Sequence, residues 1–295
     1  MLRILVSNDD GIDAFGIRTL VRFLSHMAEV YVVAPDKQRS ASGQAITLGG
    51  KVTANQVEMD GAVKAITLSG TPADCAKYGI DMMREAGTPP DFVIGGINHG
   101  GNAGIDINYS GTFAIANEGA LNGYRAIALS VTNRQATHFE FICEMIPELL
   151  DVAKKLPPGI ILNVNAPDLP KWQIKGVRYA DAGICGFNNT FERVIEENSD
   201  NADEEKANKP FADGEYKYNG EITDGSAQPP NTDLNCLAKG YATITPYKVN
   251  RVDNGMLAKL RGLSSDNTMC IIMDVQGHTV SKVRKSEKFM GNILK

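Results

Sequence analysis

Short apolar runs recur along the first 170 residues, and most of the gaps between them carry apolar residues at helical spacing. The runs are Leu2 to Val6, Val30 to Ala34, Ala62 to Leu68, Phe92 to Ile94, Ala126 to Val131 and Ile160 to Val164. Runs of this length, bounded by turn residues, read as buried parallel strands. Between them, Ile17, Leu20, Val21, Leu24 and Met27 predict a helix over residues 16–27. Thr71-Pro72-Ala73-Asp74 is a helix start, with Thr as N-cap, Pro at the first helical position and an acid three residues beyond the cap. That helix reaches about Glu85 and buries Cys75, Tyr78, Ile80 and Met82. Ser110 caps a helix that buries Phe113, Ile115, Ala116, Ala120 and Leu121, with Gly123 at its end. Phe139, Ile142, Met145, Ile146, Leu149 and Val152 mark a long amphipathic helix. Strand alternating with helix predicts an α/β fold with a doubly wound, mainly parallel, Rossmann-like sheet.

In such a sheet, ligands bind just beyond the carboxyl ends of strands. The first strand ends there in Ser7-Asn8-Asp9-Asp10-Gly11. Adjacent carboxylates repel each other, and a hard divalent cation, which prefers oxygen ligands, removes that cost. A solvated acidic turn would look the same, so the pair alone decides nothing. The second strand leads into Asp36-Lys37-Gln38-Arg39-Ser40-Ala41-Ser42-Gly43, a polar loop of turn formers. The fourth leads into Gly95-Gly96-Ile97-Asn98-His99-Gly100-Gly101-Asn102-Ala103-Gly104, with five glycines in ten residues. Such density suits a backbone that takes positive φ or approaches a ligand closely. The stretch ends at Ser110-Gly111-Thr112, whose free N–H groups and hydroxyls suit an anion.

The character changes after about residue 183. Residues 188–231 are polar and acidic, including Glu196-Glu197 and Asp203-Glu204-Glu205, and read as a hairpin arm or mobile loop. Tyr241 to Pro246 alternates like a strand, and Met256 to Leu263 reads as a short helix. An apolar run, Met269 to Val275, precedes a basic end. The organisation expected is a catalytic α/β domain of residues 1–182 plus 232–262, an arm over 183–231, and a C-terminal extension over 263–295 that serves as an oligomer contact.

Composition excludes some classes. Net charge is −5 with the two signs mixed, so no basic groove for nucleic acid is indicated. No apolar run approaches the ~20 residues of a membrane span. The five cysteines form no C-x-x-C pair, so neither a zinc site nor a disulfide framework is expected. A cytoplasmic setting is the default.

Taken in order, these stretches resemble the SurE family, stationary-phase survival proteins that act as nucleotidases. The resemblance is carried by residues 4–12, 33–43, Ser69-Gly70-Thr71-Pro72-Ala73-Asp74-Cys75, Gly96-Ile97-Asn98 through Ser110-Gly111-Thr112, Leu162 to Pro167 and Gly240 to Pro246. It covers residues 1 to about 262. It departs at His99 and at Gly100-Gly101, where the family commonly has a glycine–proline pair. The resemblance implies a metal-dependent phosphomonoesterase acting on nucleoside monophosphates, as a 5′-nucleotidase with 3′ and short polyphosphate substrates also in range. It implies one divalent metal per subunit, magnesium or manganese with calcium as a stand-in, on Asp9, Asp10, Ser40 and Asn98. Ser110, Gly111 and Thr112 would hold the phosphate, with Asn102 beside them. Asp9 or Asp10 would orient the water, act as base or attack directly. The resemblance also implies a homodimer or homotetramer.

Four oxygen ligands favour magnesium, manganese or calcium over zinc or copper. His99 is a weaker candidate for acid to the leaving group than for a residue bordering a polar loop. A P-loop and a dinucleotide-binding fingerprint are absent. A receiver domain needs an Asp after the third strand and a Lys after the fifth, where Ser69-Gly70 and Thr132-Asn133 stand. The competing reading is a non-catalytic regulator that binds metal and nucleotide.

Overall fold

The computed structural model describes residues 1–184, 187–194, 214–222, 224–261, 272–273 and 279–280. The acidic pairs between 196 and 205, Cys185, Cys270, His278 and the basic end lie outside the described residues. The chain forms two units, Met1–Val249 and Asn250–Lys295.

In the first unit β1 (Leu2–Ser7), α1 (Phe15–Leu24), β2 (Ala28–Pro35), β3 (Ala54–Val57), β4 (Lys64–Leu68), α2 (Pro72–Glu85) and β5 (Phe92–His99) follow in order. Then come α3 (Gly111–Leu121), β6 (Arg125–Val131), α4 (Glu140–Lys155), β7 (Ile160–Ala166) and β8 (Val177–Tyr179). An antiparallel ribbon of β9 (Phe187–Arg193) and β10 (Tyr216–Ile222) precedes α5 (Asp233–Ala238) and β11 (Ala242–Lys248). The second unit holds α6 (Asn254–Arg261) and the two-residue strands β12 (Ile272–Met273) and β13 (Thr279–Val280), paired antiparallel.

The main sheet has nine strands in the order β3-β4-β2-β1-β5-β6-β7-β11-β8. Its six central strands, β4 through β7, are parallel, as the alternation of strand and helix predicts. The strand order reverses between β1 and β5, so the ends of β1, β2 and β5 open onto one crevice. The edge strand β3 is antiparallel to β4 and escapes a reading by periodicity, because Ala54-Asn55-Gln56-Val57 carries almost no apolar signal.

Each face of the sheet takes two helices. Ile17, Leu20, Val21 and Leu24 of α1 join Ile142, Ile146, Leu149 and Leu150 of α4 in one core. Burying each such side chain contributes about 1.5–3 kcal/mol. Cys75, Ile80 and Met83 of α2 pack with Ile115 of α3 on the other face. The α2 cap forms as expected: the Thr71 hydroxyl accepts from the Asp74 N–H, and the Asp74 carboxylate accepts from the Thr71 N–H. Three details differ from the sequence reading. Helix α1 stops at Leu24 rather than Met27, Met83 rather than Met82 is the fully buried methionine of α2, and Leu121 is exposed. Met27 still packs against the core from beyond the helix end, whereas Leu121 has rotated off the buried stripe.

Beyond β7, the Asp168 carboxylate accepts from the backbone N–H groups of Thr137 and His138, from the Asn133 side chain and shares a hydrogen bond with the His138 ring. Burial alone would raise this carboxyl, but those hydrogen bonds outweigh it and hold it at about 2. A depressed folded-state pKa means stability that is present above the ordinary carboxylate value and lost as pH falls through the lower one. The expected result is that Asp168→Ala is less stable than the parent at pH 6, and that the gap narrows as pH falls from about 4 to about 2. Denaturant titration across that range checks it.

Candidate active site

Asp9 and Asp10 sit at the tip of β1, where the chain leaves the sheet. The Asn8 side chain donates to the Gly11 carbonyl at 2.8 Å and shapes the turn. Asp9 is buried, 6% exposed, while Asp10 is half-buried. The Thr112 hydroxyl donates to Asp9 Oδ1 at 2.5 Å, and the Gly111 N–H also bonds the Asp9 carboxylate. The start of α3 therefore points its positive end at Asp9. Burial pushes the Asp9 carboxyl up to about 6; Asp10 adds to the rise, and the Thr112 and Gly111 donors oppose it. Asp10 Oδ2 accepts the His99 backbone N–H at 3.0 Å, and Gln38 Nε2 reaches Asp10 Oδ1 at 3.5 Å.

The loop after β2 is pinned on both sides of Ser40. The Arg39 N–H donates to the Asp9 carbonyl at 2.7 Å, and the Gly43 N–H donates to the Tyr109 carbonyl at 2.9 Å. Ser40 is exposed between these anchors. Asn98, at the end of β5, is 8% exposed; its Nδ2 donates to the Gly100 carbonyl at 2.7 Å. That bond uses the amide nitrogen and turns the Asn98 side chain so that its oxygen, Oδ1, is not the atom held by Gly100. The structure thus brings Asp9, Asp10 and Ser40 onto neighbouring segments, with Asn98 one residue from the N–H that binds Asp10. An all-oxygen donor set and a buried carboxylate held against a second one suit a hard divalent cation. No group of three or more His, Cys, Asp or Glu that could hold a metal occurs among the described residues. The two-carboxylate set needs none.

Ser110 and Thr112 are arranged differently from a pair of free hydroxyls. Ser110 Oγ accepts from the Phe113 N–H at 3.0 Å and caps α3, and the Thr112 hydroxyl is spent on Asp9. Both therefore shape the helix start. Asn102 is half-buried, with Nδ2 donating to Ser130 Oγ at 2.9 Å. The His99 ring lies against Phe139, 5.1 Å between centroids, with Nε2 buried and unpartnered among the described residues. It is the His99 backbone, not its ring, that touches an acidic residue of the site.

Sequence reasoning names Thr112 and His99 but not the contacts they make here, and it gives Asp233 no role. The Thr112–Asp9 and His99–Asp10 bonds join segments about 90 to 100 residues apart, which no local pattern reports. Asp233 accepts the Gly104 and Gly183 N–H groups, each at 2.8 Å. Its local signal is Thr232-Asp233 as a helix start, just past the end of the stretch read as arm.

The class defined by this arrangement is a doubly wound α/β protein with an acidic pair at the topological switch point, set against a helix N-terminus. The family is equally plain: the family model described as Survival protein SurE matches residues 4–189, and the chain belongs to that family. The 5′-nucleotidase SurE of Moorella thermoacetica is 38% identical over 250 residues, spanning 84% of this chain and 90% of that protein. The 5′-nucleotidase SurE of Desulfatibacillum aliphaticivorans is 37% identical over 262 residues, spanning 88% and 97%. The crystal structure of the SurE protein from Aquifex aeolicus superposes with a TM-score of 0.72 at 29% identity, covering 88% of this chain and 99% of that one.

Proposed function

We propose that the chain is a phosphoric monoester hydrolase that converts nucleoside monophosphates to nucleoside and phosphate, as a 5′-nucleotidase that also accepts 3′-nucleotides and short polyphosphate. The observation that carries this reading is the Asp9–Asp10 pair, with Asp9 bonded to the start of α3 and Asp10 to the His99 N–H. The names of the relatives supply the substrate class. One divalent metal, magnesium or manganese, would be held by Asp9, Asp10, Ser40 and Asn98, where it would polarise the phosphoryl group and acidify water. The chain's own residues divide the remaining work. Asp9 is fixed by Thr112 and Gly111 and would serve as an oriented ligand. Asp10, more open to solvent, is the better placed to take a proton from the attacking water. The seat for the phosphate is the N-terminus of α3 at Ser110-Gly111-Thr112, with Asn102 alongside, where the positive end of the helix would face charge on the equatorial oxygens.

Phosphate release from a panel of 5′- and 3′-nucleotides and polyphosphate, with magnesium or manganese and with chelator, tests the proposal. Turnover that depends on metal is expected; no release from any nucleotide would overturn it.

The working assembly proposed is a homodimer or a pair of dimers in a cytoplasmic setting. Large apolar side chains stand exposed between residues 172 and 191: Trp172 at 83%, with Tyr179, Ile184 and Phe191. Such a set suits burial against a second copy. The buried free thiols of Cys75, Cys143 and Cys236 fit a reducing compartment. No helix among the described residues is long and apolar enough to cross a membrane. Light scattering should return at least twice the chain mass, and Trp172→Ser with Phe191→Ser should lower it. A monomer would refute the assembly.

A further inference from the structure

Beneath the glycine turn that follows Asn98, one face of the sheet is polar where aliphatic packing would be expected. Ser130, Asn165 and Thr243 are register partners across β6, β7 and β11, and Asn163 faces Thr245 in the next row. All five are buried, at 0–4% exposure. Burying so many polar groups is unfavourable unless hydrogen bonds compensate. Most of the bonds these side chains make go to a single residue. Asn165 Oδ1 accepts the Asn102 N–H at 2.8 Å, and Asn165 Nδ2 donates to the Asn102 carbonyl at 3.0 Å. Asn163 Nδ2 donates to the same carbonyl at 2.7 Å, and Ser130 Oγ accepts from the Asn102 side chain at 2.9 Å. Meanwhile Asn163 Oδ1, Thr243 Oγ1 and Thr245 Oγ1 have no partner among the described residues. The row does not satisfy itself; its satisfied part is directed at Asn102.

We propose that Asn165 and Asn163 are positioning residues for the reaction: together they clip the backbone of Asn102 and hold the turn from Gly100 to Gly104 in one conformation. The inference rests on the phosphomonoesterase reading for its kinetic consequence, though not for the clip itself. Gly100 (φ +119°), Gly101 and Gly104 (φ +62°) leave this turn with much backbone freedom. Fixing it against that freedom needs contacts from outside the turn. A side-chain amide carries the donor and acceptor of a peptide group, so Asn165 serves as a ladder partner for one isolated residue. Neither a carboxylate nor an aliphatic side chain offers both. At one end of the turn is Asn98, beside the N–H that binds Asp10. The other end leads through the 3-10 turn Gly104–Tyr109 to Ser110. A loose turn would therefore misplace the candidate phosphate seat relative to the acidic pair.

The test compares Asn165→Asp, which keeps the acceptor and loses the donor, and Asn165→Leu, which loses both, with Thr245→Val in the neighbouring row. Thr245 makes no bond to Asn102. Hydrogen exchange of residues 100–104, melting temperature, and kcat and KM for a nucleoside 5′-monophosphate with magnesium are measured on the full chain. In both Asn165 variants, exchange in the turn should rise about tenfold and kcat should fall about 10- to 100-fold with KM within about threefold, the pattern of misplaced rather than lost groups. Thr245→Val should leave exchange in the turn and kcat at parental values. The proposal is overturned if the Asn165 variants keep parental exchange and kcat, or if Thr245→Val reproduces their changes. Should Asn165→Leu not fold, Asn165→Asp carries the same decision. Should the parent release no phosphate, the functional reading fails, while the exchange contrast still decides whether the clip exists.

Discussion

Asp9→Asn is expected to lower phosphate release by about 10²- to 10³-fold, the scale of losing one preorganised electrostatic group, while making the metal-free protein more stable. The two effects have one origin. Asp9 is buried beside Asp10, and its carboxyl is pushed up to about 6. A raised folded-state value means that the stability tied to the proton is present below the ordinary carboxylate value of 3.8 and is lost as pH rises through about 6. At neutral pH the metal-free parent therefore holds a buried negative charge against its neighbour. The amide removes that charge and its oxygen can still accept from Thr112, although its NH2 cannot accept the Gly111 N–H, so one of the two bonds that link β1 to α3 survives. Metal-free parent should lose stability between pH 4 and pH 6 where the variant does not. Melting curves over that range, with and without magnesium, separate the two, and the magnesium-induced gain should shrink in the variant. Full activity in Asp9→Asn, or in the parent with excess chelator, would sink the assignment.

The fold was legible because a buried parallel strand writes itself as a short aliphatic run, and each helix here keeps a clear apolar stripe. Where those signals weaken, so did the reading. Ala54 to Val57 pairs only along an edge and needs no apolar face, so β3 went unseen. Helix ends are weakly marked by periodicity: Met27 packs on the core from beyond the end of α1, and Leu121 keeps the period of α3 while facing solvent. The candidate site shows the same division. Asp9, Asp10, Ser40, Asn98 and Ser110 stand at strand ends or a helix cap, positions that local sequence marks. The contacts that give them their chemistry do not: Thr112 to Asp9 crosses from β1 to α3, and Asn165 to Asn102 crosses from β7 to the glycine turn. Polar residues inside a strand pattern, as in Leu162-Asn163-Val164-Asn165, were the available signal for the second. Alternation said that they share a face, but nothing local said what they face.

Gly111→Ala is expected to damage both stability and turnover, although it adds a single methyl group. The position lies in the first turn of α3, where alanine is intrinsically the better helix former by about 1 kcal/mol. Propensity alone therefore predicts a more stable variant. Space predicts the opposite. A Cβ at Gly111 would lie 2.7 Å from Asp9 Cβ, 2.8 Å from Pro72 Cγ and 2.9 Å from Asp9 Oδ2. None of these neighbours is the free end of a flexible side chain. Asp9 follows a strand whose Leu5 and Val6 are fully buried, and Pro72 is locked by the cap of α2. The start of α3 has to back away, and the Thr112 and Gly111 bonds to Asp9 lengthen with it. Overpacking of this kind costs about 1–3 kcal/mol, which exceeds the propensity gain. Turnover should fall by about 10²-fold, because the helix start no longer addresses the acidic pair at the right distance. Denaturant unfolding and phosphate release on the same preparation decide the sign. A variant as stable as its parent, with kcat intact, would mean that α3 does not approach β1 this closely, and the link between Asp9 and the helix start would fall with it.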